Sequence, residues 1–387
     1  MEPGILTDRF FQIFGNRSDN PVLFFSPGRV NLIGEHTDYN NGFVFPCALN
    51  YGTFACVRKI NKRVLRAVST NFKSKFEIGI DNIEKDKTGE WINYPLGVLN
   101  EFLSRNISIG GMEILFWGNI PNGAGLSSSA SIEMVTAFAV NTLFKAGQTM
   151  LELAKLSQSA ENNFVGMNCG IMDQFAVGFG EKDKAIFLNC DTLDYETVPV
   201  ELNDYQLIIT NSNKRRGLTD SKYNERRSEC ELAVRMLNSE LNIDHLSQLD
   251  IEKFERYMHL IGEPLSRQRA RHVISENERV LEAVEVLKEG NLVRFGQLMN
   301  ESHDSLCNDY EVTGKELDTL VYEGRKLDGV LGSRMTGAGF GGCTVSIVKK
   351  EYKDLFISKL SRIYTSITGL KADFYLPEIS NGVGPIQ

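Results

Sequence analysis

Two apolar runs, at residues 22–25 and 43–49, bracket a polar stretch carrying Arg29, Asn31, Glu35, His36, Asp38 and Tyr39. Both runs read as short buried strands, so the stretch between them reads as a loop on rigid flanks, a common place for binding residues. Gly28, Gly34 and Gly42 permit tight turns and close approach of a ligand there. From residue 20 to 120, strand-like runs alternate with turns, and the charged segment 81–89 reads as a hairpin tip or surface loop. A strand at 112–117 leads through a glycine-rich turn into a helix over 131–145, marked by apolar residues at 132, 135, 138/139 and 143. Gly147 is placed to end it. Thr149 and Glu152 have capping-box spacing and open a second helix to about Phe164. Strands are expected at 185–188 and 206–210.

The second half is richer in helix. Apolar or small residues at 230, 233/234, 237 and 241 mark one helix over 221–241. A strand at 343–348, a helix with Tyr352, Leu355/Phe356, Leu360 and Ile363 on one face, and a strand at 372–376 form a β-α-β ending. That ending suits an α+β domain with helices on one sheet face. No internal repeat or Pro-rich linker appears. The expected division is residues 1–200 and 201–387.

Composition narrows the function classes. The 387 residues are 42% hydrophobic and 24% charged, as in an ordinary globular protein of about two domains. The 42 Lys and Arg against 50 Asp and Glu leave a formal charge of −8, which argues against a nucleic-acid partner. No apolar run approaches the roughly 18 residues of a membrane span, and no signal peptide is apparent, so no membrane partner is expected. Seven scattered cysteines without CxxC or metal-like spacing read as reduced thiols of a cytoplasmic protein. Cys47, Cys56 and Cys343 fall in strand-like runs and read as small core residues. The basic residues Lys214, Arg215, Arg216, Arg226 and Arg227 are interspersed with acids and read as a solvated face.

Three motifs carry chemistry. The stretch GRVNLIGEHTDY at 28–39 has carboxylates, an imidazole and a phenol able to hold a polyhydroxylated molecule. The stretch NIPNGAGLSSSAS at 119–131 runs from a strand through glycines into a helix start, which collects free N–H groups and a dipole end suited to phosphate. No Gly-Lys-Ser/Thr follows, so it is not a Walker A loop, and protein-kinase signatures are absent. The stretch MTGAGFGGCT at 335–344 satisfies GxGxxG through Gly337, Gly339 and Gly342, but a strand follows where a dinucleotide fold needs a helix. Asp173, in NCGIMDQF at 168–175, stands at a turn or helix start; from sequence alone it reads as readily as a cap.

The first motif fits the galactokinase signature at every position. The second resembles the ATP loop of the superfamily shared with homoserine, mevalonate and phosphomevalonate kinases, with the core Pro-x-x-x-Gly-Leu-Ser-Ser-Ser. The third resembles that superfamily's C-terminal glycine loop. The resemblance runs from Phe24 to about Val348. It implies a two-domain α+β fold, with a first domain like the second domain of ribosomal protein S5 and a ferredoxin-like second domain. It implies transfer of a phosphoryl group from ATP, with Mg²⁺, to the anomeric hydroxyl of D-galactose. Asp173 takes the role of catalytic aspartate and Arg29 that of its electrostatic partner. Glu35, His36, Thr37, Asp38, Asp173 and Tyr223 would hold the sugar. Ser69, Gly123, Ala124, Gly125, Leu126, Ser127, Ser128 and Ser129 would hold the nucleotide. Ser129 and Glu161 would hold the metal. A monomer is expected. Two alternatives stand beside this reading: a kinase for a related sugar such as N-acetylgalactosamine or galacturonate, and a sugar-sensing regulator. Sensors that resemble galactokinases lack a Ser-Ala pair in the phosphate loop, and Ser129-Ala130 is present.

Overall fold

In the computed structural model, the structure describes residues 3–16, 19–88, 91–121, 124–214 and 219–386. A six-stranded sheet forms the first half, ordered Gly384–Pro385, Val22–Asn31, Pro46–Ile60, Gly111–Gly118, Val64–Ser69 and Lys75–Gly79. Its neighbours are antiparallel except for the parallel pair of Val64–Ser69 with Gly111–Gly118. Helices Asn93–Ser104, Ser128–Phe144 and Met150–Ser159 contribute to one apolar core on this sheet. The helix Asn93–Ser104 lies where the hydrophobic pattern suggested only strands and turns. Its Pro95 and Gly97 are poor helix formers, but burial of Leu96, Val98, Leu99 and Phe102 outweighs propensity.

A second sheet, all antiparallel, is ordered Val330–Thr336, Cys343–Lys349, Tyr205–Asn211 and Asp373–Tyr375. It packs with helices Lys315–Arg325 and Lys353–Thr368, giving the expected β-α-β ending. Helices Pro264–Lys288 and Leu292–Asn308 fill the space between the sheets, in a core that joins Val30 and Phe45 to Val280, Phe295 and Val345. The architecture is α+β, as the sequence implied.

Three boundaries shift toward the site. The first strand runs through Asn31, so Arg29 and Asn31 stand on a strand and not in a loop. A register shift between Pro27 and Arg29 lets that strand leave its partner and meet the phosphate loop. Gly28 makes the contact possible: a Cβ there would lie 2.5 Å from the Leu126 carbonyl oxygen. The helix expected from 131 begins at Ser128, because Ser127 in left-handed conformation (φ 58°, ψ 51°) turns the chain early. The capping box at Thr149 and Glu152 is present, but its helix widens into a π-helical turn over Ala160–Val165.

Candidate active site

The centre of the site is a buried ion pair between elements far apart in sequence. Arg29 donates from Nε to Asp173 Oδ1 at 2.7 Å and from Nη2 to Oδ2 at 2.8 Å. This bidentate geometry is the strong form of the guanidinium–carboxylate contact. Its third arm, Nη1, donates to the Gly125 carbonyl at 2.8 Å and ties the pair to the phosphate loop. The Ser127 hydroxyl also donates to Asp173 Oδ2. Burial opposes the Arg29 charge, but Asp173 and then Glu35 hold its pKa above the ordinary value. Asp173 is in the first turn of helix Met172–Phe179, as its motif suggested. Its side chain is 25% exposed, toward a cleft of about 230 Å³.

The same cleft is lined by Glu35, His36, Asp38 and Tyr223 on one side and by Gly125, Ser127, Ser128, Ser129 and Glu161 on the other. Sequence segments more than a hundred residues apart thus converge. Glu35 accepts from the Gly337 N–H at 2.8 Å, which brings the third glycine motif onto the first. Gly337 has φ 85°, and a Cβ on it would lie 2.9 Å from the Gly125 carbonyl, so the second and third motifs also touch. His36 is neutral at working pH, because burial, then His272 and Arg226, push its pKa down to about 3. Asp38 behaves oppositely: burial and the nearby Asp173 charge push it up to about 7.

Some expected residues take other places. Thr37 fastens its loop, donating to the carbonyls of Gly34 at 2.8 Å and Phe43 at 2.6 Å. Ala124 and Leu126 are buried under the phosphate loop. Ser69 ends the strand Val64–Ser69 and does not line the cleft; its hydroxyl accepts from the Asn71 N–H at 3.2 Å. Gly123, Arg215 and Arg216 lie outside the described residues. Arg226 was expected on a solvated face but is buried, and its Nε donates to the Tyr310 carbonyl at 2.7 Å. Burial of that cation is sustained by Glu229, whose carboxylate lies 3.0 Å away.

The metal position can be tested on its donors. Glu161 is buried, and its pKa is raised by burial and by Asp173. The nearby Ser129 hydroxyl acts the other way and favours its ionised form. A carboxylate and a hydroxyl side by side are hard oxygen donors, and a dication would relieve the repulsion with Asp173. Among the described residues no group of three or more His, Cys, Asp or Glu is placed to hold a metal. Two protein oxygens therefore fit a metal that takes its other ligands from nucleotide and water.

Sequence reasoning missed Gln174, Glu133 and Tyr310. Gln174 Nε2 donates to Glu161 Oε2 at 2.6 Å and to Glu133 Oε2 at 3.1 Å. Its amide thus links the Glu161 carboxylate to the helix Ser128–Phe144, one residue from Asp173. Glu133 was hidden because the helix Ser128–Phe144 is buried on several faces and not only on its apolar stripe. The signal for Gln174 was its place in the CGIMDQF segment.

A glycine-rich loop at a helix start, a carboxylate held by arginine and a pocket of hydrogen-bonding side chains beside it are the parts that phosphoryl transfer from a nucleotide to a hydroxyl requires. Family models agree: GHMP kinases N terminal domain matches residues 93–181, GHMP kinases C terminal matches 283–365, and the galactokinase galactose-binding signature matches 8–59. A galactokinase of Fusobacterium nucleatum is 54% identical over 368 residues, covering 94% of this chain and 95% of that one. One from Clostridium acetobutylicum is 51% identical over 386 residues and 99% of each. The crystal structure of Lactococcus lactis galactokinase complexed with galactose superposes with a TM-score of 0.97 at 44% identity, covering 99% of each chain. A mevalonate kinase with TM-score 0.68 and 19% identity shares the fold. The chain belongs to the galactokinase family.

Proposed function

We propose that the cleft binds D-galactose against Glu35, His36, Asp38 and Tyr223, and MgATP against Gly125 and Ser127 to Ser129. The γ-phosphoryl group passes to the anomeric hydroxyl of the sugar. The observation that carries this assignment is the Arg29–Asp173 pair, which lies where the two halves of the cleft meet. Asp173 Oδ2 already accepts from Arg29 and Ser127, while Oδ1, among the described residues, accepts only from Arg29. Oδ1 therefore retains the lone pair that receives the acceptor hydroxyl's hydrogen. Arg29 keeps the carboxylate ionised for that contact and offsets charge on the transferring group. Ser129 and Glu161 would hold Mg²⁺, which when bound neutralises phosphate charge. Gln174 keeps Glu161 turned toward that position.

The division into residues 1–200 and 201–387 belongs to the same reading, with the final strand Gly384–Pro385 crossing back to pair with Val22–Asn31. All the residues named come from one chain, so a monomer suffices. A cytoplasmic place accords with Cys47, Cys56 and Cys230, whose burial pushes each thiol up to about 12. No helix among the described residues is long and apolar enough to cross a membrane.

The test is a coupled ATP-consumption assay over galactose, glucose, N-acetylgalactosamine and galacturonate, with wild type and Asp173→Asn. Galactose is expected to turn over fastest. Asp173→Asn keeps the shape and loses the charge, so turnover should fall roughly a hundredfold or more while galactose binding weakens less. Near-wild-type turnover in the variant would remove Asp173 from the mechanism.

A further inference from the structure

Behind the sugar side of the cleft lies a chain of side-chain hydrogen bonds that reaches the second half of the sequence. His36 Nδ1 lies 2.8 Å from the Tyr39 hydroxyl, which lies 2.8 Å from the Tyr310 hydroxyl. Tyr310 in turn lies 3.2 Å from the Cys230 sulfur. Among the described residues, the far His36 nitrogen, Nε2, is buried and meets no side chain or backbone group at hydrogen-bonding geometry. His36 lines the cleft.

The chain can run in two directions, and its ends decide between them. In one, Nδ1 donates to Tyr39, Tyr39 to Tyr310, and Tyr310 to sulfur. That leaves a weak acceptor at the end of the line. In the other, the thiol donates to Tyr310, Tyr310 to Tyr39, and Tyr39 to the imidazole lone pair, a far better acceptor. Burial keeps the Cys230 thiol protonated and able to donate, since its pKa is pushed up to about 12. Tyr310 is itself pinned, because Arg226 Nε donates to its carbonyl at 2.7 Å and Arg269 Nη1 donates to the carbonyl of Asp309 beside it.

We infer that Cys230, Tyr310 and Tyr39 form a relay that fixes His36 as its Nε2–H tautomer, so that the ring offers a donor to a hydroxyl oxygen of the bound sugar. This rests on the galactose reading above. Tyr39 and Tyr310 are then positioning residues for sugar affinity, acting through His36.

The experiment pairs ¹⁵N NMR of the histidine ring nitrogens in the sugar-free protein with galactose and ATP affinities by titration. Wild type should show His36 protonated on Nε2. Tyr39→Phe and Tyr310→Phe should give a mixture of tautomers, a galactose affinity lower by about tenfold, and a kcat within about twofold of wild type. ATP affinity should not move. Cys230→Ser supplies a better donor and should retain both the tautomer and the affinity. A wild-type His36 protonated on Nδ1 overturns the relay. So does a loss of affinity in the tyrosine variants with the tautomer unchanged, which would make them packing residues. The expected tautomers in a protein that does not phosphorylate galactose would uphold the relay and refute the substrate reading instead.

Discussion

The two ends of the cleft are built on different physical principles. The phosphate end uses charge and backbone: Ser127 to Ser129 open a helix, Arg29 and Asp173 form an ion pair, and Glu161 sits beside Ser129. Beside Glu35, the sugar end relies on buried groups with little charge: an uncharged His36, the Tyr223 ring packed edge-on to Tyr39 at 5.0 Å and tilted to His36 at 5.7 Å, and an Asp38 that titrates near 7. Charge tolerates small errors of position, because Coulomb attraction falls slowly with distance. Hydrogen bonds to a sugar do not, because an unmatched buried donor or acceptor costs about 1–3 kcal/mol. The phosphate end should therefore set rate, and the sugar end selectivity.

The sharpest break of that contrast is in sugar choice. Galactose and glucose differ only in the direction of the C4 hydroxyl. A site built to hydrogen-bond that hydroxyl leaves its own buried groups unpaired when it is misplaced. Galactose should be preferred over glucose by at least about a thousandfold in kcat/KM, roughly 4 kcal/mol of transition-state binding. Asp38→Ala should erode the preference while ATP affinity stays near wild type. Comparable wild-type rates on the two sugars, or a variant that loses ATP instead of sugar, would reverse the assignment of the two ends.

The same contrast explains what could be read from the sequence. The phosphate end is nearly all local: strand, glycines and helix start occupy residues 111–131, and each signal is visible in order. Even there the helix began three residues early, since nothing in the pattern marks Ser127 as left-handed. The sugar end was legible only on its near side, in the 28–39 motif. Its backing is remote: Tyr310 is 271 positions from Tyr39, and Arg334, which donates to Glu35 at 3.4 Å, is 299 positions from it. No periodicity reports such pairings. Arg226 was misplaced for a related reason: beside its helical neighbour Glu229, it donates to the carbonyl of Tyr310, 84 positions away.

A medium-sized effect should sharpen the rate side. Gln174 links Glu161 to Glu133 with one amide, so Gln174→Met should remove that donor from Glu161 without changing side-chain volume much. The Mg²⁺ midpoint for activity should rise about tenfold, the lower end of the scale for losing a partner that orients a metal ligand. Glu161→Ala should raise it further. Mn²⁺ binding with a non-hydrolysable ATP analogue, followed by electron paramagnetic resonance, should weaken in parallel. Galactose affinity should be unaffected in both variants. An unchanged metal midpoint in Glu161→Ala would return that residue to a structural role.

The smallest effect, and the finest probe of the sugar end, is its pH dependence. Asp38 is held protonated to higher pH than a free aspartate, first by burial and then by the Asp173 charge, and it ionises near 7. Below that pH the carboxyl is neutral and keeps one oxygen as a donor; above it both oxygens accept. An acceptor-only carboxylate suits the hydrogen of a sugar hydroxyl better. Galactose kcat/KM should therefore rise by a few-fold as pH increases from 6 to 8, with the inflection near 7. His36 cannot supply that limb, because its pKa lies near 3. Asp38→Asn cannot ionise and should flatten the profile at a lower plateau. The stability sign is opposite. A carboxyl whose folded pKa is raised stabilises the fold fully below its unfolded pKa of about 4, and that contribution is lost as pH rises toward 7. Wild type should thus lose thermal stability relative to Asp38→Asn between about pH 4 and 7, while its gain in sugar kcat/KM centres near 7. Parallel pH profiles of kcat/KM in wild type and variant would show that the limb comes from another group.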